Sequence, residues 1–173
     1  MGFDSVSTDT RSIEPGQLFV ALRGVRHDAA AFVVDAVERG AVAALVEHRQ
    51  PVAVPQVIVP DAGKALQEVA SAWRQRFRIP VIGVTGSNGK TTLKEMMASI
   101  FRAHVRQPGE DGGVLATWGN LNNHVGVPIT LLWLRAGHRA AVIEMGASAP
   151  KEIALLARIA RPTVGVITNA GPA

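Results

Sequence analysis

Cysteine is absent from this 173-residue chain, and aromatics are few, with three tryptophans and five phenylalanines. The lack of thiols excludes disulfides, thiolate catalysis and cysteine zinc sites, and it suits a reducing compartment, so a cytoplasmic location is expected. There is also no basic run and no interleaving of basic with aromatic residues. The formal charge of +4 comes mostly from scattered arginines, which excludes the usual footprint of a nucleic-acid binder and favours small anionic ligands. Long apolar runs are missing as well. The first residues carry no signal-peptide core, and every apolar stretch is interrupted by charge, Gly or Pro short of a bilayer span, so a soluble chain without membrane partners is expected. The five histidines show no paired spacing, and no zinc site is expected.

What is present is 47% hydrophobic content, enough for one sizeable core or two small ones. Leu18–Leu22 and Ala43–Val46 read as strands around a helical stretch with Phe32, Val33, Ala36 and Val37 that Gly40 closes. Val57-Ile58-Val59 reads as a short buried strand. Asp61 can cap the following helix, whose Leu66, Val69, Ala70, Trp73 and Phe77 share a face, and Pro80 ends it. Residues 1–78 form one expected α/β domain and 79–173 a second. The second opens with strand 81–84, a glycine-bearing turn, and a helix carrying Leu93, Met96, Met97, Ile100 and Phe101. Residues 117–128, dense in asparagine, read as a loop. Ala140–Ile143 and Val164–Ile167 read as apolar strands around a helix over 150–160 that Ser148 can cap. Such alternation means a parallel sheet with crossover helices.

The turn is the chemically informative segment. Thr85-Gly86-Ser87-Asn88-Gly89-Lys90-Thr91-Thr92 lies between a strand and a helix, where a glycine loop can wrap phosphate with its amide N–H groups. Lys90 offers a point charge to the β- and γ-phosphates of a nucleotide, and Thr91 a hydroxyl to Mg²⁺. The full G-x-x-x-x-G-K-[ST] pattern would need glycine at 84, where this chain has valine, so the loop is a shorter variant. A plain strand–helix turn would need neither Gly-Lys-Thr-Thr nor these flanking elements. Glu144 ends its strand at the carboxyl edge of the sheet, where ligands bind in open α/β folds, and can hold Mg²⁺ there. The competing role for Glu144 is to cap the next helix. Asparagines 120, 122 and 123 could simply satisfy turn backbone, and His124 alone is an ordinary hydrogen-bonding residue.

TGSNGKTTLKEM from Thr85, TWGNLNNHVGVPITLL from Thr117, VIEMGASAPKEI from Val142 and PTVGVITNAGPA from Pro162 together resemble the central ATPase domain of the Mur ligase family. STDTRSIEPGQLFVALRG from Ser7 is similar to that family's UDP-sugar-binding domain. Ser87 and the Lys94-Glu95 pair fit best the members that add D-alanyl-D-alanine to UDP-N-acetylmuramoyl-tripeptide. The resemblance implies a small N-terminal α/β UDP-binding domain followed by a P-loop-type parallel-sheet ATPase domain. It implies ATP and Mg²⁺ as cofactors, those two molecules as substrates, and a monomer acting in peptidoglycan precursor synthesis. The implied chemistry is transfer of the ATP γ-phosphoryl group to a carboxylate, then displacement of phosphate by an amine.

By motif position, Gly86, Ser87, Asn88, Gly89, Lys90, Thr91 and Thr92 meet the nucleotide, and Thr91 and Glu144 meet the metal. Asn122 and Asn123 fall near the substrate or γ-phosphate, and Asp9, Thr10 and Arg11 near the UDP end. One departure is Asp28-Ala29-Ala30, where the family commonly has Asp-Gly-His. The family also continues past this pattern to a histidine, a modified lysine and a C-terminal domain, so the present chain is expected to be an incomplete ligase without ligase activity of its own. Two other readings remain: a relative of the folate polyglutamate ligases, and a stand-alone nucleotide or UDP-sugar binding module.

Overall fold

The computed structural model describes residues 2–24, 28–105 and 113–171. Pro172 and Ala173, the end of the last motif quoted above, lie outside them. The chain divides into two compact units, Met1–Leu66 and Gln67–Ala173.

In the first unit four strands, β1 (Val6–Ser7), β2 (Leu18–Val20), β3 (Ala43–Val46) and β4 (Gln56–Ile58), form a parallel sheet in that order. Helix α1 (Val33–Glu38) crosses between β2 and β3, and its Val33 and Ala36 pack with Phe19, Ala44 and Val46. Gly40, at φ +107°, ends the crossover as expected. Asp28 accepts the Ala30 N–H at 2.9 Å and starts a short 3₁₀ turn over Ala29–Phe32, so the departure at 29–30 leaves the cap intact. Strand β4 corrects the expectation of a buried strand. It is a sheet edge, with Val57 and Ile58 about half exposed.

Helix α2 (Ala62–Arg74) straddles the division, and Asp61 caps it by accepting the Lys64 N–H at 2.8 Å. The second unit holds β5 (Val81–Thr85), α3 (Lys90–Val105), β6 (Val114–Ala116), α4 (Gly126–Leu132), β7 (Ala140–Glu144), α5 (Glu152–Ala160) and β8 (Val164–Ile167). Its sheet is parallel, in the order β6-β7-β5-β8. Alternation along the central strands fills both faces: Val81, Ala141 and Ile143 pack with Leu131 and Leu156, while Ile82, Val84 and Val142 pack with Ala98. Among the described residues no helix is long and apolar enough to cross a membrane.

Five expectations change here. Residues 126–128, the end of the expected 117–128 loop, are the start of helix α4, and β6 adds a strand. Strand β8 is an edge with Val164 and Ile167 exposed. On α3, Leu93, Met97 and Phe101 face the core, whereas Met96 and Ile100 face outward. Ser148 does not cap α5. Lys151 is the N-cap residue, in the left-handed region, and the Glu152 carboxylate reaches back to the N–H groups of Ser148 and Ala149.

The register fixes where chemistry can occur. Val84 lies beside Glu144, and Thr85 beside Ile167. The turn after β5, the end of β7 and the segment after β8 therefore meet at one carboxyl edge.

Candidate functional site

At that edge the β5–α3 turn is a tight loop, with Gly86 at φ +136° and Gly89 at +78°. A side chain at either position would meet backbone strain, which explains the residue type. Lys90, at the start of α3, folds over the loop and donates to the carbonyls of Gly86 (2.7 Å) and Ser87 (3.1 Å). The first N–H groups of α3 have no acceptor within the helix, and together with the ammonium they form a positive end suited to phosphate.

Glu144 lies across from the first turn of α3 and is only 2% exposed. Thr91 Oγ1 donates to its Oε2 at 2.9 Å, and Asn122 Nδ2 to its Oε1 at 2.9 Å. Its own N–H goes to Thr117 Oγ1 at 2.9 Å. The bonds to its carboxylate come from Thr91 and Asn122 and not from the start of α5, so Glu144 does not cap that helix. Among the described residues no cation stands within ion-pair distance of Glu144. A carboxylate taken out of water with only neutral donors around it is costly, and a divalent cation is the partner that balances it. The donor set of a threonine hydroxyl and a carboxylate is oxygen only, which suits Mg²⁺. The residues present therefore fit the expected metal.

A cavity of about 400 Å³ opens beside the loop, lined by Lys90, Asn122, His124, Gly146, Ser148 and Glu152 among others. Backbone N–H groups of Ser148 and Ala149 hold the Glu152 carboxyl below the ordinary carboxylate range. Asn123 also lines the cavity, but its Oδ1 is committed to the N–H groups of Val125 and Gly126 at the start of α4.

Asp9, Thr10 and Arg11 lie in the first unit. Asp9 caps a 3₁₀ turn over Thr10–Ser12, and its carboxylate takes three bonds from the Arg11 guanidinium, which hold its pKa down to about 2. Both side chains remain accessible at the surface.

The residues that sequence reasoning passed over lie after β8. Asn169 Oδ1 accepts the N–H groups of Ser87 (3.1 Å) and Asn88 (3.0 Å), Thr168 Oγ1 donates to the Asn88 carbonyl (2.6 Å), and Ser87 Oγ donates to Gly171 O (2.9 Å). The loop is thus held from outside as well as by its glycines. The signal was available in TNAGPA, but only the pairing of β8 with β5 shows what it touches.

The Mur ligase middle domain model matches residues 84–173, and the model for the Mur ligase family catalytic domain matches 3–104. The chain is 45% identical over 98% of its length to UDP-N-acetylmuramoyl-tripeptide–D-alanyl-D-alanine ligase of Synechocystis, and 44% identical over 96% to the Bacillus subtilis enzyme of the same name. It covers 37% and 35% of those proteins, so it spans a little over a third of the curated relatives it matches. Among solved structures, the diaminopimelate-type D-alanyl-D-alanyl ligase of Acinetobacter baumannii superposes with a TM-score of 0.89 at 40% identity, over 99% of this chain and 37% of that one. A MurF ligase from Thermotoga maritima, in complex with ADP, gives 0.83 at 33% identity, over 98% and 38% respectively.

Proposed function

The chain belongs to the Mur ligase family, and on that premise we propose that it is the UDP-substrate and nucleotide-binding part of an ATP-dependent ligase joining D-alanyl-D-alanine to UDP-N-acetylmuramoyl-tripeptide. Residues 1–78 are the UDP-sugar domain in this reading, with Asp9, Thr10 and Arg11 at the UDP end. Residues 79–173 carry the nucleotide loop. The enzyme works in the cytoplasm, as a monomer, in peptidoglycan precursor synthesis.

The observation that carries the proposal is the buried Glu144 carboxylate, held by Thr91 from the phosphate-loop helix and by Asn122 from the cavity wall. Thr91 and Glu144 would hold Mg²⁺, which when bound neutralises charge on the nucleotide phosphates. Lys90 trades its two loop carbonyls for phosphate oxygens and stabilises the charge that shifts as the γ-phosphoryl group leaves. Asn122 links this edge to the cavity, where the substrate carboxylate would lie beside Lys90. Activation as an acyl phosphate gives a poor electrophile a good leaving group for the incoming amine.

The test is Lys90→Ala. Binding of ADP with Mg²⁺ to this chain should weaken by roughly ten- to a hundredfold, the scale of losing one hydrogen bond to a charged group, with the melting transition unchanged. Affinity within a few-fold of the parent would remove the phosphate-loop assignment.

A further inference from the structure

Lys94, singled out in the sequence beside Glu95, has no part in the site described so far. It is 1% exposed, on the same face of α3 as Thr91 and buried Ala98. A methionine or leucine would fill this space without the desolvation of an ammonium group. The charge is kept by two acceptors, Glu95 Oε1 at 2.6 Å and the Thr117 carbonyl at 2.8 Å. Glu95 is largely exposed, so water already competes for that pair, whereas the bond to Thr117 is buried.

Thr117 is the junction. Its N–H donates to Val142 O at 3.1 Å, its carbonyl takes Lys94, and its Oγ1 takes the Glu144 N–H. Thr91 then closes a ring by donating to the Glu144 carboxylate. Helix α3 grips the end of β7 twice: directly at the carboxylate through Thr91, and one turn later through Lys94 and Thr117 at the backbone. A carboxylate fixed at its own oxygens alone could still swing with its main chain. Fixing its amide removes that freedom.

We propose that Lys94 is a positioning residue for the metal-holding carboxylate, acting through Thr117 to set where Glu144 presents its oxygens. This rests on the reading of Thr91 and Glu144 as the Mg²⁺ site. Groups that orient a metal ligand from behind typically change metal affinity by about 10–100-fold when removed, and that is the effect expected here.

The experiment titrates Mg²⁺ against ADP binding to the full 173-residue chain, for the parent, Lys94→Met, Thr117→Val, Thr117→Ser and Glu144→Gln, with ADP affinity in EDTA as the control. Amide exchange at Glu144 is read in parallel without metal. The expected result is a roughly tenfold or greater rise in the Mg²⁺ needed by Lys94→Met and Thr117→Val, with unchanged affinity in EDTA and faster Glu144 exchange. Thr117→Ser, which keeps the hydroxyl, should behave as the parent. If Lys94→Met does not fold, Lys94→Leu, which also removes the donor to the Thr117 carbonyl, is read in its place. Parental Mg²⁺ dependence in Lys94→Met, alongside a shift in Glu144→Gln, overturns the role of Lys94 whatever Thr117→Val does. No Mg²⁺ dependence in the parent, or none lost in Glu144→Gln, overturns the metal site and this proposal with it.

Discussion

Exchanging Glu144 for glutamine alters charge and almost nothing of shape, which makes it the sharpest probe at the residue scale. The Thr91 hydroxyl and the Asn122 amide would still find a polar group at hydrogen-bond distance, so the fold should persist. What disappears is the negative charge that a divalent cation requires. Half-saturation of ADP binding should need roughly ten times more Mg²⁺ or beyond, read by titration at fixed ADP, while unfolding midpoints stay near the parent. An unchanged Mg²⁺ requirement would leave the burial of Glu144 a structural matter.

At the scale of elements, the tightest constraint is the entry to α4. Gly126 packs against the backbone of Leu121, so close that a Cβ there would overlap main-chain atoms that cannot rotate away. Gly126→Ala should cost about 1–3 kcal/mol in urea unfolding. It should also disturb Asn122, which follows Leu121 directly, and so weaken ADP binding along with stability. Parental stability would mean that the 121–126 segment yields more readily than its packing suggests. The same helix shows why parts of the fold escaped the sequence. Gly126 to Leu131 are all buried, so α4 has no polar face to mark a helical period, and Asn123 caps it from within a run that reads as turn. In contrast α2 and α3 were legible, since each has an apolar stripe and a clear start. Strands β4 and β8 look apolar in sequence, and only their place in the sheet makes them edges. Of the site, Lys90, Thr91 and Glu144 could be read from local pattern. Thr117, Lys94 and Asn169 could not, because their partners are set by how α3 and β8 pack on β5 and β7.

For the whole molecule, the ionisable groups lean one way. Burial holds His138 below the usual 6.5, its Nδ1 accepting the Arg135 N–H. The unfolded chain therefore takes up that proton first, and stability should begin to fall as pH drops below about 6.5. Carboxyls are lowered too: Asp9 to about 2 by the Arg11 guanidinium, Asp35 by Arg39, Asp61 by the Lys64 amide, Glu95 by Lys94 and Glu152 by the Ser148 and Ala149 amides. Their contribution is complete above the unfolded values and is lost as pH falls towards about 2. Solvent screening keeps each small, the exposed Asp9–Arg11 pair included. Denaturant midpoints should be level from pH 8 to 7, slope gently from 6.5, and drop more steeply below about 4. A maximum in acid would contradict this arrangement of charges.

The clasp between the phosphate loop and the Thr168–Gly171 segment has a consequence in time. Its partners, Ser87 and Asn169, stand 82 positions apart along the chain. Closing so long a loop is entropically demanding and cannot be offset until β8 has docked beside β5. The glycine turn, although local in sequence, therefore gains its final shape only at a late stage of folding. A chain caught part-way, with β5, α3 and β7 assembled but β8 still loose, would have a core and no defined cradle. If the proposed function holds, capacity to bind nucleotide would report that this unit has finished folding.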